Sequence, residues 1–389
     1  MMRARIALGF AFWFTWLWAS LGYAQTAPPA LSDAEQGLRI MANRQQGNCV
    51  ACHQVSLLRD AKGIDGAAGK QGNFGPSLDG VANRYSVAQL RQWVVDARKL
   101  NPNTLMPPFG TSDGTALANP PHPMLTTEDI DKVTATLATL RTPGAVSGST
   151  PVAQATAQTL QSGNAYLTPQ WQAMQQDEAV NPITLWLDKG QRLWRNDCQS
   201  CHQAPGSLRT AAAAYPRLIT RLNSTRLVNL EDQINLCRER VGQSPKGLED
   251  DDTLSLSALL HSVAKGQAIH VQAPADAKGQ QLWQAELAQG AQLYATRMGR
   301  LNLACGHCHD GKVGANLRAD VVSPGHPSGF PIYRLNWQTM GSIDRRLRAC
   351  YSGVQANLPA PGSSSLRQLE LYLKVRAKGM PLDGPSIRR

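Results

Sequence analysis

The chain has 389 residues, 42% hydrophobic and 17% charged, with a formal charge of +11, and at about 100 to 200 residues per domain it has room for two to four globular domains. The 39 basic side chains are dispersed and form no Lys/Arg block or nucleic-acid motif, which argues against nucleic acid as the partner that explains the charge.

The chain opens with Arg3 and Arg5, an apolar run from Ile6 to Trp18, and Gly22-Tyr23-Ala24. Basic start, short apolar stretch and small residues at a cleavage point predict a secretory signal over residues 1–24, with Gln25 first in the mature chain and the periplasm as destination. A spanning helix needs about 20 apolar residues, and no later segment is long or apolar enough, so no stable membrane span is expected after cleavage. Two of the 39 basic residues leave with the signal, so 37 stand against 28 acidic ones, a net of +9.

Ser32 with Glu35 and Thr126 with Asp129 are capping-box pairs, and they predict one helix before the first cysteine pair and another running to about Arg141. Residues 143–164, rich in Ala, Gln, Ser, Thr, Gly and Pro, have the composition of a linker. An internal repeat follows. Gly190-Gln-Arg-Leu-Trp194 leads into Cys198-Gln-Ser-Cys-His202 as Gly290-Ala-Gln-Leu-Tyr294 leads into Cys305-Gly-His-Cys-His309. Each half continues with a Tyr/Pro/Arg/Leu stretch, a lone cysteine (Cys237, Cys350) and an apolar-periodic helix, about Thr253 to Ala264 and Leu366 to Lys378. Gly266 and Gly379 suit the ends of those helices. Long strand-like alternation is absent. The expected fold is mainly α: three helical domains in series over residues 31–142, 165–275 and 276–389, the last two forming the repeat.

Cys-x-x-Cys-His is the attachment pattern of c-type haem, in which two thiols add to the vinyl groups and the histidine supplies an imidazole to the iron. It occurs at Cys49/Cys52/His53, Cys198/Cys201/His202 and Cys305/Cys308/His309, using three of only eight histidines. Three covalently bound haem c groups are therefore expected, one in each of three cytochrome c-like helical domains. A zinc site is the alternative for paired cysteines, but it does not explain an immediate histidine three times over. The haem propionates would offset much of the positive charge.

For the sixth ligand of the first haem the candidates are Met106, Met124 and His122. Met106 is preferred, because Pro107 and Pro108 favour an extended loop that can lay its sulfur on a haem face. The other two segments have no matching methionine loop. Each has its surplus cysteine instead, 35 residues after His202 and 41 after His309. Arginines beside Cys237 and Cys350 favour thiolate, the form that binds iron, while a Cys237–Cys350 disulfide is the alternative in an exported protein.

These residues bring the chain close to a known family. It resembles the SoxXA cytochromes of sulfur-oxidising bacteria, with two usually separate subunits fused end to end. Residues 31–142 resemble SoxX through Gly75-Pro76-Ser77-Leu78, Arg84-Tyr85, Leu90 to Arg98 and the Met106-Pro-Pro loop. Residues 165–389 resemble SoxA through Ile234 to Arg238, Leu301 to Asp310, Gly325-His-Pro, Tyr333 to Gln338 and Arg345 to Cys350.

The resemblance implies an L-cysteine S-thiosulfotransferase that joins thiosulfate oxidatively to a cysteine of a SoxYZ carrier protein and passes two electrons to a soluble cytochrome c. It implies that the haem of Cys305, Cys308 and His309 is catalytic, that Cys350 is its distal ligand and often a persulfide in the family, that Arg346 binds substrate, and that Cys237 ligates the other SoxA haem. Three rivals remain. An electron carrier without a substrate leaves the surplus cysteines unexplained. A di-haem peroxidase needs an open distal position. A thiosulfate dehydrogenase forming tetrathionate shares the thiolate-haem chemistry and differs only in the SoxA-like strings.

Overall fold

The computed structural model describes residues 31–59, 61–67, 69–142, 160–221 and 223–389. The expected signal over 1–24 and most of the expected linker, 143–159, lie outside the described residues.

The first segment holds α1 (Asp33–Ala42), α2 (Ser56–Arg59), α3 (Val87–Asp96) and α4 (Thr127–Thr139). Both expected capping boxes are formed, Ser32 with Glu35 on α1 and Thr126 with Asp129 on α4. Each cap satisfies amide groups that the first helical turn leaves without partners. Met41, Val50, Leu58, Leu90 and Val133 make the segment's core.

The second segment holds α5 (Pro169–Gln176), α6 (Thr184–Leu193), α7 (Arg209–Ala212), α8 (Leu230–Arg240) and α9 (Asp251–Val263), with a hairpin of β1 (Arg217–Arg221) and β2 (Ser224–Val228). The third holds α10 (Ala277–Ala295), α11 (Cys305–His309), α12 (Ile343–Gly353) and α13 (Ser364–Arg376). Its strands are β3 (Asn316–Leu317), β4 (Asp320–Val321), β5 (Ile332–Arg334), β6 (Thr339–Gly341) and β7 (Ser386–Arg388). The strands are two to five residues long, and β5 pairs antiparallel with β6 and parallel with β7. Gly266 and Gly379, just past α9 and α13, both have positive φ, as a helix-ending glycine does.

One device recurs three times. A glycine on the helix before each Cys-x-x-Cys-His motif sits where that helix crosses the segment's later helix. A Cβ would meet the Lys132 carbonyl oxygen at 2.1 Å from Gly37, that of Ser255 at 2.4 Å from Gly190, and that of Gln368 at 2.1 Å from Gly290. Only a residue without a side chain permits this backbone approach.

The last two segments interlock. Ala377, Met380 and Leu382 complete the core of the second segment, and the amides of Ile269 and Gly266 donate to the carbonyls of Met380 and Leu382. In return, residues 160–176 fold onto the C-terminal strand: the amide of Ile387 donates to Gln175 Oε1 at 3.0 Å, and Ser162 bonds Asp383. Residues 160–164, within the expected linker, are thus docked.

Candidate haem and substrate site

The first motif forms a 3-10 turn over Cys49–Ala51, the second lies on a π turn over Trp194–Cys198, and the third is α11. The amides of His53 and His202 each donate to the carbonyl of the first cysteine at 2.9 Å, so cysteine pair and histidine stay within one turn. His53 Nδ1 lies 2.6 Å from the Pro76 carbonyl oxygen, and His309 Nδ1 lies 2.7 Å from that of Ser323. With Nδ1–H donating to a carbonyl, Nε2 carries the free lone pair and the ring is held in one orientation, the usual second sphere of a metal-bound histidine. Burial depresses the protonation of both rings, and for His309 the positive charges of Arg346 and Arg376 add to it. Neutral imidazole is the form that ligates iron.

Glycines make room for both rings. A Cβ on Gly75 would stand 2.4 Å from His53 Cε1, and one on Gly325 would stand 2.9 Å from the His309 ring. His202 differs in lying against the Trp194 ring, with centroids 6.0 Å apart.

Burial pushes the Cys49 and Cys305 thiols up to about 12 and those of Cys52, Cys198 and Cys308 up to about 11.

Cys201 departs from this pattern. Expected as an attachment residue like the other five, it is exposed, whereas they are all at least partly buried. The reason lies in the local backbone: the π turn ends at Cys198, and Gln199, Ser200 and Cys201 continue it as a turn on the surface. The Cys201 sulfur has only the Ser200 hydroxyl as a donor, at 3.9 Å. The second motif thus presents one of its two sulfurs at the surface, whereas the first and third keep both at least partly buried.

Among the described residues no group of three or more His, Cys, Asp or Glu is placed to hold a metal ion. At the first and third motifs, anchored neutral histidines, glycine-lined space and enclosed thiol pairs together fit haem c. At the second, the fit rests on Cys198, on His202 against Trp194, and on the spacing that brings Cys201 into the same turn.

Every described cysteine is unpaired, so the disulfide alternative for Cys237 and Cys350 is not formed. Each surplus cysteine stands beside its own motif. Cys350, on α12, is close enough to Cys305 and Cys308 for its charge to raise both, and Cys237, on α8, acts likewise on Cys198. Gln233 Nε2 donates to Cys237 Sγ at 3.3 Å. Arg346 stands one turn before Cys350 on α12 and within electrostatic range of His309. Met106 and Met124 both pack partly buried against the first core, whereas His122 is exposed. The Met106 loop is held by the third segment, since Arg297 Nη1 donates to the Thr104 carbonyl at 3.2 Å.

Nothing in the sequence hints that the first and third motifs meet. Cys308 contributes to the raised pKa of Cys52, and the surrounding contacts run between the same two segments. Asn73 and Asn316 exchange hydrogen bonds at 3.1 and 2.7 Å, and Lys312 lies over the Phe74 ring. Also unforeseen are the roles of Pro76, Ser323, Gly75 and Gly325. A signal existed for three of these, because Gly75-Pro76 and Gly325-His-Pro stand out as family strings.

Residues 34–141 match a family model described as Cytochrome c, and residues 186–269 match one described as SoxA/TsdA, cytochrome c domain. The L-cysteine S-thiosulfotransferase subunit SoxA of Paracoccus pantotrophus is 30% identical over 238 residues, which cover 59% of this chain and 79% of that protein. The same subunit from Pseudaminobacter salicylatoxidans is 32% identical over 222 residues, 55% of this chain and 75% of that one. Among solved structures, a crystal structure of SoxXA from P. pantotrophus aligns with a TM-score of 0.53 and 29% identity, covering 59% of this chain and 86% of that chain.

Proposed function

The chain belongs to the SoxA family of L-cysteine S-thiosulfotransferases, and from that premise we propose that it is a tri-haem cytochrome coupling thiosulfate to a cysteine of a SoxYZ-like carrier at Cys350 and Arg346. The haems are held by Cys49/Cys52/His53, Cys198/Cys201/His202 and Cys305/Cys308/His309, with Met106, Cys237 and Cys350 as distal ligands. In this reading residues 31–142, 165–275 and 276–389 are the SoxX-like and the two SoxA-like parts, and the chain works in the periplasm after residues 1–24 are removed.

In the overall reaction the carrier's S–H bond breaks and its sulfur bonds to the outer sulfur of thiosulfate, with one proton released and two electrons passed to two oxidised cytochrome c molecules. Bound haem c supplies iron that accepts electrons singly, and thiolate ligation stabilises its ferric form while a thioether raises its potential. Arg346 holds the sulfonate oxygens through two parallel hydrogen bonds, which a planar guanidinium makes and an ammonium does not. Cys350 stands one helical turn away, so both side chains reach one bound anion. A persulfide on Cys350 is part of this reading. The nearness of Cys52 to Cys308 supports electron exit from the third segment through the first.

The observation that carries the reading is that Cys350 stands within electrostatic range of Cys305 and Cys308, on the helix that also carries Arg346. The test is thiosulfate-dependent reduction of cytochrome c with the carrier present. Arg346→Gln should slow turnover with the haem spectrum nearly native, Arg346→Lys should recover part of it, and Cys350→Ala should alter both spectrum and rate. Undiminished turnover in the Cys350 and Arg346 variants would remove these residues from the site.

A further inference from the structure

We propose that Arg334 is a second substrate-holding arginine, closing with Arg346 on the sulfonate of the anion bound over Cys350; this rests on the function proposed above. Arg334 ends β5, where it pairs with Thr339 on β6 and Arg388 on β7. Its Nε donates to a terminal main-chain oxygen of Arg389 at 2.8 Å, and its guanidinium lies over the Trp337 ring at 5.2 Å. Arg345 lies over the same ring at 4.3 Å. Backbone and indole thus fix the direction of the Arg334 fork, and none of the ion pairs with Asp or Glu among the described residues includes Arg334, Arg345, Arg346 or Arg388.

Three half-buried guanidinium groups here share one neighbourhood. Burial brings Arg334 and Arg388 down to about 10, and the charge of Arg346 works in the same direction on both. Cys350 is itself near enough to Arg334 to act on it. Like charges held together away from water repel, and a dianion between them turns that cost into attraction. Arg388 does not fill the role, because its Nη1 is engaged by the Asn164 side chain and the Ile387 carbonyl. Arg334 has only Nε engaged, so its two terminal nitrogens remain to grip oxygens in parallel.

Sequence pattern singled out Tyr333 to Gln338 without giving it a task. In this arrangement Arg334 binds, Trp337 orients it, and Gly341 leaves space for the indole, since a Cβ there would stand 2.5 Å from Trp337 Cζ3.

The test compares steady-state kinetics of the holoprotein and its Arg334→Gln variant with thiosulfate, carrier and cytochrome c each varied. The expected result is a thiosulfate KM raised on the order of tenfold to a hundredfold, the range for loss of a charge-assisted hydrogen bond. The carrier KM and the haem spectrum should stay native. Arg334→Lys should give a smaller rise, because it restores charge without the fork. If the Gln variant does not take up haem, Arg334→Lys carries the comparison alone, with a several-fold rise expected. Wild-type thiosulfate KM in either haem-loaded variant overturns the proposal, as does a fall in kcat at unchanged thiosulfate KM. Normal kinetics for Arg334→Gln beside an impaired Arg346→Gln would sink this inference and leave the parent function standing, whereas a wild-type protein inactive with thiosulfate and carrier would sink the parent function.

Discussion

Replacing Arg318 by alanine should loosen the contact between the first and third segments. Arg318 sits in the turn between β3 and β4 at φ 52° and reaches into the first segment. Its Nη1 donates to the Gly66 carbonyl at 2.9 Å, its Nη2 to the Ala42 carbonyl at 3.0 Å and to Asn48 Oδ1 at 2.6 Å, and its Nε to Asn48 Oδ1 at 3.2 Å. A hydrogen bond from a charged donor contributes about 1.5 to 3 kcal/mol. Three acceptors lose their donor, but the site is half-buried and water can replace part of the loss, so about 2 to 4 kcal/mol is expected. At about 1.4 kcal/mol per factor of ten, opening of the contact becomes about 30-fold to 1,000-fold more frequent. Hydrogen exchange at the Asn73 and Asn316 amides, which bond across the same contact, reads this directly. Unchanged exchange at both amides in Arg318→Ala would refute the idea that this side chain latches the segments.

Met106→Ala should leave the first haem attached but lower its potential, because a thioether favours ferrous iron; an unchanged potential would pass the role to Met124, which packs against the same core. Gly75→Ala should displace the His53 ring, since the new Cβ would stand 2.4 Å from it, costing about 1 to 3 kcal/mol as overpacking does and shifting only the first haem's spectrum. A native spectrum and melting temperature would show the ring has room. Burial raises Glu370 to about 7 from 4.5. Between those pH values the folded chain keeps a proton that the unfolded chain has lost, so this group's contribution to stability falls as pH rises from 4.5 to 7. Glu370→Gln should flatten that part of a stability profile, and a profile of unchanged slope would contradict it.

Local chemistry made much of this protein legible. Capping boxes marked α1 and α4 to within a residue or two, and the repeat around Gly190 and Gly290 marked two crossings whose close backbone approach only glycine allows. Gly37 makes the same crossing in the first segment, yet its surroundings match the repeat too loosely to declare it. Where residues distant in sequence meet, pattern had little to offer. β5 and β7 are three residues each and about fifty apart, too short for alternation to show. Arg318 looks like any surface arginine until its turn is folded against Asn48. The interlocking of residues 160–176 with the C-terminal strand likewise depends on two segments more than 200 residues apart. For the site, adjacent residues announced the Cys-x-x-Cys-His motifs and the one-turn spacing of Arg346 and Cys350, but the electrostatic reach of Cys350 to Arg334 and of Cys308 to Cys52 belongs to tertiary packing. The exposure of Cys201 was not legible either, because three motifs of identical spacing take three different local backbones, a 3-10 turn, a π turn and an α-helix.

The central claim is that this chain places thiosulfate on a carrier cysteine. Intact mass of the carrier after incubation with the holoprotein, thiosulfate and oxidised cytochrome c tests it most directly. The account predicts a carrier heavier by one thiosulfate on its cysteine, with two molecules of cytochrome c reduced for each one formed. Reduced cytochrome c accompanied by tetrathionate and an unmodified carrier would contradict it and make the chain a thiosulfate dehydrogenase.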